Sequence, residues 1–137
     1  PMAIAPRPQH TPVLHSITQS EPFRSAEEAW FWTMAALVAR QDGARIVAGR
    51  GSAIRPCEPD DVVRCLDRLY RQRRIDLSHG RVLRRWGERG YSPNPHAASE
   101  RGDAALWREA LSRLEWPLRI KGIVVGPGFA TVTSLRP

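Results

Sequence analysis

Lysine is nearly missing from this 137-residue chain, where Lys121 stands alone against 20 arginines. With abundant Ala, Gly and Pro, that ratio is the mark of a GC-rich, bacterial coding sequence. The arginine total therefore says little, and the placement of the arginines is what informs. Cysteine is scarce too. Cys57 and Cys65 are the only two, which points to reduced structural thiols rather than a disulfide framework. Long apolar runs are absent: the longest charge-free apolar stretch, Ala29 to Ala39, is well short of the ~18 residues that a bilayer crossing needs. No charged-then-apolar signal segment opens the chain. The expectations are a cytoplasmic location and no membrane.

Metal and catalytic spacings are missing as well. Cys57, Cys65, His79 and His96 match neither paired-cysteine spacing nor the helical His pair of zinc sites, so neither a metal nor any other cofactor is expected. The Gly49-Arg50-Gly51-Ser52 segment lacks the Gly-Lys-Ser/Thr ending of a phosphate-binding P-loop. Asp60 and Asp61 fit the first turn of a helix, where they complement its dipole. Ser78 and His79 are adjacent, and neighbouring side chains on a helix diverge, so they do not make a nucleophile and base. Arginine positions phosphates but is always protonated and cannot act as a base. The expectation is no enzyme and no catalytic residue.

What is present suits one globular domain: 42% of residues are hydrophobic and 26% charged. Residues 1–24, with Pro1, Pro6, Pro8, Pro12 and Pro22, read as an extended N-terminal arm, disordered unless something docks it. Residues 25–137 read as a single mainly α domain of four helices with a C-terminal β-hairpin.

Ser25 and Glu28 match a capping box. The helix they open runs to about Gln41, with Trp30, Phe31, Met34, Leu37 and Val38 on one stripe. It has no charge until Arg40, so it is expected at the centre of the core. Trp32 points off the stripe, toward either another core element or an interface. After Gly43, Arg45 to Ala48 suits a short strand.

Pro59 opens a second helix, to about Arg74. Val62, Val63, Leu66, Leu69 and Tyr70 face inward, while Arg64, Arg68 and Arg71 lie opposite. Ser78 suits the cap of a third helix, with Val82, Leu83 and Trp86 inward, Arg81, Arg84 and Arg85 outward, and Gly90 as terminator. A fourth helix from Ser99 or Asp103 to about Glu115 carries Leu106, Trp107, Ala110, Leu111 and Leu114 inward, and Pro117 stops or kinks it. Ile120 to Val125 and Phe129 to Thr133 flank a glycine-rich turn.

The charge is unevenly spread. Of the net +7, +6 lies between Arg64 and Arg89, where nine arginines face three carboxylates. A focused positive field on two consecutive helices is the footprint of a surface that meets phosphates. The competing view is a solvated basic face with Asp67–Arg71 and Arg84–Glu88 ion pairs.

Leu69 to Glu88 resembles a helix-turn-helix, and with a strand and a hairpin added the chain is similar to a winged-helix arrangement. The second helix is longer than that motif's, and an extra helix precedes the hairpin. The resemblance implies duplex DNA as partner, a possible homodimer, and a role as a bacterial transcription regulator. The third helix would enter the major groove with Arg81, Arg84 and Arg85, and His79 would reach a base or phosphate. Arg64, Arg68 and Arg71 would clamp the backbone, and Arg74, Ser78 and Arg89 complete the expected DNA-binding set. The alternative is a protein-interaction adaptor or phage-type factor that binds an acidic partner through Trp32, the arm and the Tyr91–Pro95 loop.

Overall fold

The structure is a computed structural model, and it describes residues 20–43 and 54–126. The described residues form four helices: α1 (Ala26–Gln41), α2 (Pro59–Arg71), α3 (Leu77–Arg89) and α4 (Arg101–Ile120). The expected strand at 45–48, the glycine-arginine segment, the arm's first 19 residues and the hairpin's second half lie outside the described residues. Among those described, no helix is long and apolar enough to cross a membrane.

The start of α1 follows its capping signals. Ser25 Oγ accepts the Glu28 amide at 3.1 Å, and Glu28 accepts the Arg24 amide at 2.7 Å. The first bond satisfies a donor that the first helical turn leaves free, while the second holds the residue before the cap, so the return bond of a capping box reaches Arg24 rather than Ser25. The helix is central, packing on α2, α3 and α4. α4 likewise packs on the other three, whereas α2 and α3 barely touch one another. The consecutive helices α2 and α3 thus pack on α1 and α4 far more than on one another, and Val63 and Leu66 of α2 share a hollow with Gly80 and Arg84 of α3 over α1. A helix-turn-helix pair would rest one helix upon the other. Here each rests on the central two.

The core is built from the expected stripes, including Trp30, Met34, Val62, Leu69, Val82, Leu83, Trp86, Trp107, Leu111 and Leu114. Tyr70 is the exception: it is exposed, and Cys65 takes the inward position on α2. Three buried indoles tie one helix to the next. Trp30 Nε1 donates to the Leu83 carbonyl (α1 to α3), Trp86 Nε1 to Asp103 (α3 to α4) and Trp107 Nε1 to Glu27 (α4 to α1), at 2.8–2.9 Å. A buried tryptophan needs an acceptor for its N–H, and each finds one on a different helix.

Helix ends differ from expectation in three places. α2 stops at Arg71, and Arg73 takes a left-handed conformation at φ 61°. The Arg74 amide then bonds back to the Leu69 carbonyl at 2.9 Å, which closes the helix in the manner of a Schellman motif. α3 is capped by Asp76 rather than Ser78: the Asp76 carboxylate accepts the Ser78 amide at 2.9 Å and the Ser78 hydroxyl as well. α4 continues through Pro117 to Ile120. Proline removes one helical donor, but Leu114 and Leu118 are fully buried and the Glu115–Arg119 pair spans the proline at 2.9 Å. Glu115 also accepts the Ala26 amide at 3.0 Å.

The arm is docked from Ser20 onward. Phe23 is fully buried, lies 5.1 Å from the Trp32 ring and sits beneath the Arg55 guanidinium. Trp32 therefore serves the core. Single parallel bridges join Ser20 to Ile54 and Phe23 to Val124, so residues 20–24 lie between two segments from distant parts of the chain. Within the described part of the expected hairpin, Val124 has this parallel partner at Phe23.

Candidate nucleic-acid interface

The outward positions of α3 follow directly from its inward ones. With Val82, Leu83 and Trp86 buried, residues 81, 84, 85, 88 and 89 fall on the remaining arc of a 3.6-residue helix. Arg81, Arg84, Arg85, Glu88 and Arg89 line one shallow, open hollow of about 460 Å³. Arg84 reaches Glu88 at 3.2 Å with its side chain 74% exposed, a surface pair that leaves most of the guanidinium to solvent. Arg85 donates to Asp103 at 2.9 Å and is 49% exposed. Arg89 lies over the Trp86 ring, 4.4 Å from its centroid, as a cation–π contact. No carboxylate lies within salt-bridge distance of Arg81 among the described residues.

Asp103 organises this face from beneath. It accepts both the Trp86 indole and the Arg85 guanidinium. Those bonds, the indole first, hold its carboxyl below the ordinary range. The charge on Asp103 therefore offsets one arginine while fixing where that arginine stands.

The two polar residues at the start of α3 do different work from that expected. His79 is buried, 5% exposed. Its Nδ1 accepts the Asp76 amide at 3.0 Å, so the ring proton sits on Nε2 and faces Glu109 at 2.7 Å. The imidazole joins the α2–α3 turn to α4 and has no free nitrogen for a base or phosphate. Ser78 is spent on Asp76. In sequence His79 occupies a helix's first turn, which reads as exposed; its acceptor is 30 residues away and leaves no local trace.

The α2 arginines do not join the α3 hollow. Arg64 pairs with Asp61 at 2.8 Å and Arg71 with Asp67 at 3.0 Å. Arg68 and Arg74 are exposed; the Arg74 carbonyl accepts Arg113 at 2.8 Å. Arg71 and Arg73 border a separate hollow with Tyr70, Ile75 and Asp76. The structure brings together Arg81, Arg84, Arg85 and Arg89 around one hollow, and none of Arg64, Arg68, Arg71 and Arg74 lines it.

Metal chemistry finds no cluster of three or more His, Cys, Asp or Glu ligands among the described residues. Burial pushes the Cys57 thiol up to about 11 and raises Cys65 as well, which keeps both as neutral thiols at ordinary pH. No family model, curated protein or solved structure matches the chain.

Proposed function

We propose that the protein binds nucleic acid, duplex DNA foremost, through the outer face of α3. One observation carries this: four guanidinium groups border a single open hollow on a helix whose other side is locked into the core. Arg81 and Arg89 are eight residues apart, about 12 Å along the helix. That is roughly the axial reach of three or four phosphates of one strand. Arg84 and Arg85 fall between them, each held by one carboxylate, Glu88 and Asp103, while much of the side chain stays exposed.

The mechanism is electrostatic and positional. Guanidinium groups displace counterions from the phosphates, and the fixed helix sets which phosphates they meet. α2 supplies background field rather than a clamp, and His79 and Ser78 hold the fold. Regulation of transcription is the role to which such binding is assigned, with contacts from α3 alone.

The test is fluorescence anisotropy with a labelled duplex across 50–300 mM salt, a range of roughly sixfold in ionic strength that resolves the slope. Wild type should bind with a clear inverse salt dependence. The Arg81→Ala/Arg84→Ala variant should flatten the logarithmic slope by about 1.8, or about 0.9 per lost contact. Absence of duplex binding at the lowest salt overturns the proposal.

A further inference from the structure

We propose that Tyr91 is a stacking platform for an unpaired base of the nucleic acid held by the α3 arginines; this rests on the reading above. The left-handed turn at Gly90, φ 85°, ends α3 and places Tyr91 beside the helix's last turn. There its ring meets Trp86 at 5.7 Å and 71°. An edge-to-face contact leaves at least one face of the tyrosine uncovered by the indole. Tyr91 is 59% exposed, a large fraction for an aromatic ring, and its hydroxyl has no hydrogen-bond partner among the described residues.

The ring is also fixed in place. Pro93 is buried, the Asn94 amide donates to Glu100 at 2.7 Å, and the His96 amide donates to Asn94 Oδ1 at 2.8 Å. These contacts brace the loop that carries Tyr91. The same Trp86 ring that meets Tyr91 lies under Arg89, which borders the arginine hollow. Phosphate donors and an open aromatic face thus share one support, and a strand lying along α3 leads to the ring at its C-terminal end. Inside an intact duplex the faces of the bases are already stacked. The base that reaches Tyr91 belongs to an overhang or an opened end, where its face is free. Any base satisfies such a platform, so the selectivity is for unpaired structure rather than sequence.

Three DNA hairpins with one common stem decide it: one blunt, one with a five-nucleotide thymidine tail, and one with an abasic tail of equal length. The thymidine and abasic tails carry the same phosphates, so electrostatics cancel between them. Wild type should bind the thymidine-tailed hairpin about fivefold or more tightly than the abasic one. Tyr91→Leu should erase that preference and Tyr91→Phe should keep it, with thermal melts confirming that both are folded. Tyr70→Ala, which removes an exposed tyrosine on α2, should leave the preference unchanged. Equal affinity for thymidine and abasic tails overturns the stacking role while leaving phosphate binding intact, and so does loss of the preference in the Tyr70 variant with retention in Tyr91→Leu. No binding to any of the three overturns both readings.

Discussion

Two single residues show opposite relations between backbone and side chain. Arg73 occupies the left-handed region at φ 61°, where a side chain costs on the order of 1 kcal/mol that glycine would not. Arg73→Gly should accordingly raise the melting temperature by a few degrees, as calorimetry would show. Gly87 is the converse. A methyl group there would lie 2.6 Å from Met34 Cγ and 2.8 Å from Trp30 Nε1, so the missing side chain is what lets α1 and α3 approach. Gly87→Ala gains up to ~1 kcal/mol of helix propensity but forces apart a packed contact worth roughly 1–3 kcal/mol. The net result should be a lower denaturation midpoint, with loss of the Trp30–Leu83 hydrogen bond visible as a shift in the indole N–H resonance.

At the scale of elements, Asp103 joins α3 to α4, and its ionisation sets a pH window. Trp86 and then Arg85 lower its carboxyl below the ordinary 3.8. A carboxyl depressed in the folded state contributes stability above its unfolded value and loses it as pH falls through the folded one. Asp103→Asn should therefore lower the melting temperature by a constant amount above about pH 5. The gap to wild type should close progressively as the pH drops below about 4. A gap that stays constant down to the acid limit would show that charge plays no part in the Trp86–Asp103–Arg85 junction.

The helices themselves were legible in sequence because their signals are local: Ser25 with Glu28, Pro59 with the two aspartates, and Gly90 as terminator all sit where expected. What was not legible depends on distant partners. Pro117 reads as a stop or a kink, and the burial of Leu118 against the other helices carries α4 past it. The arginines were readable as outward-facing, but periodicity about one axis does not reveal how two axes are placed. The α2 and α3 sets therefore look like one surface in sequence, whereas only the α3 set borders the hollow in space.

For the molecule as a whole, the question is whether net charge or its location governs binding. Arg68→Glu and Arg81→Glu change the total charge equally, but only Arg81 borders the α3 hollow. At 50 mM salt Arg81→Glu should weaken duplex binding by about tenfold, with a far smaller effect from Arg68→Glu. Equal losses would mean a diffuse field and no localised interface. The four-helix arrangement suits such a division, since α1 and α4 absorb the packing and leave one long side of α3 open.

The parallel bridge from Phe23 to Val124 has a consequence for how the polypeptide is made. A ring sealed beneath Arg55 and beside Trp32 acquires its last backbone partner only when residues a hundred positions later have emerged from the ribosome. Nascent chains that end before Val125 carry all four helices of the described residues but leave the early segment without that latch. Assembly of the native domain is thereby held back until the segment that follows α4 has been made.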